Sequence, residues 1–159
     1  MAAAHRILQA ITPSHMSGAE TQIVRIIRRL EARGHHLHTV VQRGTPAIAE
    51  FQARGIQVEP ISMGGKLNLA AISALSRAAK RQRTEVIHGS LSTGCWWSGW
   101  LTKLGGPPSV GHVHGFTSAA WHRQQSHLLA VSNAVKADLV EQGIAAEKIF
   151  VVNNSIDIL

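Results

Sequence analysis

The chain has 159 residues, the size of one domain, and its 16 Lys and Arg outnumber 9 Asp and Glu to leave a net charge of +7. Its only cysteine, Cys95, excludes an internal disulfide and fits a reducing compartment, so the expected address is the cytoplasm. The apolar run from Ile7 to Ile11 is too short for a signal-peptide core or a bilayer span.

Apolar runs bounded by Gly, Ser or Pro alternate with segments of helical period, the pattern of repeated strand-helix units and a mostly parallel sheet. Strands are predicted near His5 to Ile11, His36 to Gln42, Gln57 to Ile61, Glu85 to His88, Ser109 to Val113, Leu128 to Val131 and Ile149 to Val152. Helices are predicted near Ala19 to Arg33, Pro46 to Arg54, Leu69 to Arg83, Thr93 to Leu104 and Asn133 to Gln142, with a turn around Ala119 to Arg123. In the first helix Ile23, Ile26, Ile27 and Leu30 follow the i, i+3, i+4, i+7 rule and are expected to face the sheet. Ser17 and Glu20 have capping-box spacing, and Gly34 supplies a left-handed stop. The last helix repeats this grammar, with Ser132 as N-cap and Gly143 then Ile144 as a Schellman ending. The fold class is therefore α/β, a Rossmann-like three-layer sandwich around about seven strands, in one domain over residues 1–159.

Arg25, Arg28, Arg29 and Arg33 crowd the first helix, and Arg77, Lys80, Arg81 and Arg83 crowd the end of the third. Two readings are open: solvated cations matched to helix dipoles, or a nucleic-acid surface. Aromatic residues are 4% of the chain, Tyr is absent, and no RNA-recognition or zinc-finger pattern accompanies the clusters, which disfavours nucleic acid.

In an open parallel sheet ligands bind beyond the carboxyl ends of the strands. The loops there are Thr12 to Gly18, Arg43 and Gly44, Ser62 to Lys66, His88 to Ser92 (which includes Ser90), His114 to Ser118, and Ser132 with Asn133. Thr12 to Gly18 runs into a helix amino terminus, which suits a phosphate, although a Ser-Gly pair there also serves simply as a cap. No Gly-x-Gly-x-x-Gly or Gly-Lys-Ser/Thr is present, which disfavours dinucleotides and P-loop chemistry. His112 and His114 point the same way from one strand, near His88, but no acidic residue or second cysteine completes a metal set in these loops. For His114 alone, an imidazole satisfied by backbone groups is the competing reading.

Several motifs occur in a fixed order: Ser17-Gly18-Ala19-Glu20 after the first strand, Leu-Glu-Ala-Arg-Gly-His after the first helix, Gly-His-Val-His114-Gly115, Ala-Val-Ser132-Asn-Ala-Val, and Asn153-Asn154-Ser155-Ile156-Asp157. Together they resemble the amino-terminal domain of family 4 glycosyltransferases, over almost the whole chain. That resemblance implies the amino-terminal half of a GT-B fold, with a second domain beyond Leu159 holding most of the nucleotide-sugar and transfer proceeding with retention. It implies no cofactor, since the nucleotide-sugar is the donor substrate, and it makes the isolated chain inactive. By the same resemblance Ser17 and Gly18 approach the donor diphosphate, His114 lies at the reacting centre, and Glu20 is on the acceptor side. His88, Ser90, Gly115 and Ser132 are then expected in the donor or acceptor vicinity. The partners implied are a nucleotide-sugar, a glycan or lipid-linked acceptor of the cell envelope, and the missing carboxy-terminal domain. Ser17 and Ser155 each stand where the family usually has Gly, and the stretch from His114 to Ser132 is short. The alternative is a non-catalytic Rossmann-like module that holds a sugar phosphate or a protein partner.

Trp96, Trp97, Trp100 and Leu101 cluster in the fourth helix. Trp97 and Leu101, at i and i+4, are expected in the core. An exposed neighbour is a candidate for contact with a lipid-linked acceptor or the inner face of the plasma membrane.

Overall fold

The computed structural model describes residues 3–13 and 16–154. Its strands are β1 (Arg6–Ile11), β2 (His36–Gln42), β3 (Val58–Ile61), β4 (Val86–Ser90), β5 (Ser109–Val113), β6 (His127–Ala130) and β7 (Ile149–Val151). The α-helices are α1 (Gly18–Ala32), α2 (Ala47–Ala53), α3 (Ala70–Arg81), α4 (Ser92–Lys103) and α5 (Asn133–Glu141). All seven strands lie in one sheet of order β3-β2-β1-β4-β5-β6-β7, and every neighbouring pair is parallel. The expected Rossmann-like α/β fold is therefore present. The strand order reverses between β1 and β4, which directs attention to the carboxyl ends of the central strands.

A parallel sheet must be covered on both faces, and alternation along the strands sorts the core accordingly. Leu8, Ala10, Val40 and Ile87 pack under α3 and α4 with Ala71, Leu75, Trp97 and Leu101. Ile11 and Val41 point the other way, to Ile23, Val24 and Ile27 of α1 and Phe51 of α2. A third cluster joins Val113, Leu128 and Ile149 to Val135 and Leu139 of α5. Trp97 and Leu101 are buried as their spacing implied, and Trp96 and Trp100 are half-buried rather than exposed. The stripe on α1 is rotated from expectation: Val24 is buried, whereas Ile26 and Leu30 are only partly so.

The helix ends follow the sequence signals with one exception. The Glu20 carboxylate accepts the Ser17 amide at 2.9 Å and also the Ser17 hydroxyl, fastening the start of α1. Gly34 and Gly143 adopt φ of +88° and +91°, and His35 and Ile144 donate back to Leu30 and Leu139, giving two Schellman endings. Ser132 caps α5 by accepting the Val135 amide at 3.2 Å. Helix α3 stops two residues early because Arg83 takes the left-handed conformation, with φ 51°. The amides of Arg83 and Thr84 then close that end on Lys80 and Ala79. At the same edge Arg81 donates to both Glu59 oxygens, at 2.7 and 2.6 Å.

Candidate active site

The crevice where the strand order reverses is closed by side chains. Gln9 Nε2 on β1 donates to Ser90 Oγ on β4 at 3.1 Å, and both residues are buried. Just above them Thr12 Oγ1 accepts the Thr93 hydroxyl at 2.6 Å and the Gly94 amide at 3.0 Å. Helix α4 comes this close because residue 94 has no side chain: a Cβ there would stand 2.8 Å from the Ala10 carbonyl oxygen.

An open pocket of about 220 Å³ lies one strand further along, beyond β5. Leu91, His112, His114, Gly115, Phe116 and His122 line it. Leu91 holds φ 63° and ψ 172°, a backbone region that glycine, lacking a Cβ, adopts at lower cost, so the turn between β4 and α4 stores strain beside the pocket. Two histidines come from β5 and the residue following it, and the third, His122, directly follows the short turn Ala119–Trp121.

The imidazoles form a stack. The ring centroids of His112 and His114 are 4.1 Å apart, and those of His88 and His112 are 5.4 Å apart. Both ring nitrogens of His112, His114 and His122 are buried without a protein hydrogen-bond partner, as is His88 Nε2. Burial is the main cause that pushes His88, His114 and His122 down to about 4 and His112 down to about 2. The Glu20 carboxylate acts the other way on His114, so α1 places its charge within electrostatic reach of the pocket. At neutral pH the four rings are neutral, and each of the pocket nitrogens can donate or accept one hydrogen bond. Among the described residues, no group of three or more His, Cys, Asp or Glu is arranged to hold a metal ion. Cys95 is fully buried on the face of α4 turned to β4, where its thiol donates to the Gly89 carbonyl, and burial pushes the thiol up to about 12, so it is inert.

The expected site residues fall into three groups. His114 and Gly115 line the pocket, and Glu20 acts on it through its charge. Ser17 and Gly18 are exposed at the amino terminus of α1 on the same edge, with the backbone and hydroxyl donors of Ser17 both engaged by Glu20. His88 supports the stack from below, Ser90 is held by Gln9 under the surface, and Ser132 is occupied as a helix cap. His122 and Leu91 were not among the residues singled out, since only the folding of two loops brings them to the pocket. Ser155, Ile156 and Asp157 lie outside the described residues, as do Ser14 and His15.

This ordering of loops around a parallel sheet matches a known family over nearly its full length: the family model described as Glycosyltransferase Family 4 covers residues 16–158. The chain belongs to glycosyltransferase family 4. Solved structures of similar fold include Anabaena HepE in complex with UDP and glucose, with TM-score 0.79 and 16% identity over 96% of this chain and 45% of that one. A glycosyltransferase from Rickettsia africae superposes with TM-score 0.75 and 20% identity over 94% of this chain and 43% of that one. The lipopolysaccharide outer core galactosyltransferase WaaB gives TM-score 0.74 and 16% identity over 97% and 46%. The fold of this family 4 domain is thus that of one half of a GT-B enzyme, the amino-terminal one, and the chain spans about 45% of the length of HepE. Among curated proteins none matches the chain.

Proposed function

We propose that this domain forms the acceptor-side half of a retaining glycosyltransferase that moves a sugar from a nucleotide-sugar to a glycan or lipid-linked acceptor of the cell envelope. The observation that carries the reading is the set of unpartnered imidazole nitrogens at the pocket beyond β5. A buried polar atom without a partner costs about 1–3 kcal/mol, and a sugar, whose hydroxyls both donate and accept, is chemically suited to relieve several at once. The solved HepE complexes contain UDP, glucose or UDP-glucose, which supports a uridine nucleotide-sugar as the donor.

In this reading neutral His114 orients the donor sugar and donates a hydrogen bond toward charge that develops as the glycosidic bond breaks. The exposed amide end of α1, around Gly18, faces the departing diphosphate, where the helix dipole favours negative charge. Glu20 holds that end in shape through Ser17 and lies toward the acceptor. A second domain would hold the nucleotide, so the domain alone would bind weakly and not turn over.

The test is turnover of UDP-sugars by the full two-domain protein and by residues 1–159 alone, with the anomeric configuration of the product read by NMR. Transfer with retention by the former and none by the latter is the expected result. Turnover by the isolated domain, or an inverted product, would overturn the corresponding part of the proposal.

A further inference from the structure

His122 is the pocket imidazole that no strand supplies. It stands in the segment joining β5 to β6, directly after the turn Ala119–Trp121, and is only 2% exposed. Gln142, just after α5, fixes that turn from both sides: its Nε2 donates to the Thr117 carbonyl at 2.9 Å, and its Oε1 accepts the Ala119 amide at 2.8 Å. The His122 amide then donates to the Ala119 carbonyl at 2.9 Å, and the His122 carbonyl accepts the Gln125 amide at 3.1 Å. The backbone is thus held on either side of a ring that lines the pocket with neither nitrogen paired. Open pairing on so fixed a support suits a ligand.

The pocket has polar atoms but no fixed charge. None of the described residues that line it is Lys, Arg, Asp or Glu. The one arginine of the joining segment, Arg123, is turned to α5, where it donates to the Gln142 carbonyl at 2.6 Å. Neighbouring residues therefore direct an imidazole to the pocket and a guanidinium away from it. The charge that acts on His114 is negative and comes from the Glu20 carboxylate. At about 220 Å³ the pocket is smaller than the roughly 300–1,000 Å³ of sites for drug-sized ligands, so it takes one small ring.

We propose that His122 is a specificity-determining residue, which makes this pocket accept an uncharged sugar ring and reject a sugar that carries a carboxylate or a phosphate. This rests on the reading of the pocket as a sugar site. A neutral imidazole offers one N–H and one lone pair, so His112, His114 and His122 together present both donors and acceptors. A hydroxyl donates and accepts, and pairs with either kind of nitrogen. A carboxylate or a doubly ionised phosphate only accepts. The lone-pair nitrogen of each ring would be left facing its charge, and no cation among the described lining residues would offset the loss of water. The side chains of Leu91, Val113 and Phe116 offer an apolar wall to the carbon face of the ring. His112 and His114 share the chemistry of His122 but belong to the end of β5, whereas His122 completes the set from a separate segment. Exchanging it alters selectivity without altering the strand.

The experiment is NMR of the histidine ring nitrogens in the purified chain, titrated separately with glucose, glucuronate and glucose 1-phosphate. Free sugars read the pocket without a second domain or turnover, so discrimination among them by a chain that transfers no sugar would support the proposal and overturn the transferase reading alone. Glucose is expected to shift the rings of His112, His114 and His122 with a dissociation constant in the millimolar range, and the two charged sugars to bind about tenfold more weakly or worse. His122→Phe keeps a planar ring and removes both nitrogens. It should weaken glucose about tenfold, while the urea midpoint holds because no polar atom is left unpaired at that position. Thr117→Lys, at a half-buried position in the pocket lining, should raise glucuronate affinity about tenfold by placing a cation beside the carboxylate. Charged sugars that bind as tightly as glucose, unchanged glucose affinity in His122→Phe, or glucuronate still excluded by Thr117→Lys would each overturn the proposal. No ring shift with glucose would remove the sugar site itself, and the proposal with it.

Discussion

The imidazole of His112 stacks on that of His114, with 19° between the ring planes. Burial keeps both rings neutral, together with His88 and His122, while an unfolded chain would protonate all four near their ordinary value of 6.5. Between 6.5 and about 4 the unfolded state therefore binds more protons than the folded one. Stability is full above that window and is lost as pH falls through it. A single buried histidine depressed in this way contributes a loss on the order of 3 kcal/mol by about pH 4. Urea midpoints should drop steeply from about pH 7 to about pH 4.5, and less steeply in His112→Phe. A midpoint indifferent to pH would show that the rings are not buried as described.

Under the proposed function, His114→Ala in a two-domain enzyme should lower kcat by on the order of a hundredfold, as expected for removal of one donor aimed at developing charge. His88→Ala should do less to kcat, because that ring supports the stack without lining the pocket. Steady-state kinetics on a UDP-sugar distinguish the two. If His114→Ala changes only KM, the residue binds substrate without acting on the reaction.

Gly94→Ala tests the closed crevice at the strand-order reversal. The added methyl would sit 2.8 Å from the Ala10 carbonyl oxygen and 3.5 Å from the Ile11 Cα, both backbone atoms of β1 that cannot swing aside. Helix α4 would have to lift, loosening the Thr12 contacts to Thr93 and Gly94. The expected cost is about 1–3 kcal/mol, measured as a lower urea midpoint. An unchanged midpoint would mean that α4 does not approach β1 this closely.

The sheet was legible because strands buried on both faces read as short apolar runs, and α1 and α5 were legible because their caps are written in single residues such as Ser132 and Gly143. Helix α3 was read two residues too long because its stop is Arg83 in a left-handed conformation, a position that carries no glycine to announce it. The rotation of α1 was missed for a related reason: Val24 and Leu30 both fit a helical stripe, and only contact with β1 and β2 decides between them. At the site, His114 and Gly115 could be placed because they follow a strand directly. His122 could not, since it reaches the pocket only after the chain from Phe116 folds back over β5, and nothing local encodes that return. The Gln9 to Ser90 bond spans two strands that are neighbours in space but 81 residues apart in sequence, so Ser90 looked like a ligand contact when it is part of the sheet's interior.

The amino terminus of α1 should bind anions weakly even in the isolated domain. The first amides of a helix have no preceding turn to bond, and the dipole there favours negative charge. Glu20 works against this, because its carboxylate already takes the Ser17 amide and hydroxyl and repels a second anion. Phosphate at millimolar concentration should therefore shift the amide resonances from Met16 to Glu20 in a salt-sensitive way, and Glu20→Gln should increase affinity severalfold by removing the competing charge. Gly18→Val provides the complementary variant. No atom lies within 4 Å of where a Cβ at Gly18 would sit, and the residue has an ordinary φ, so the fold tolerates the change. The branched side chain would nonetheless block close approach of a phosphate to the backbone, and the shifts should disappear. If phosphate instead perturbs Arg77 to Arg83 and leaves Met16 to Glu20 untouched, the diphosphate role of this helix end is wrong, and the basic end of α3 is where anions bind.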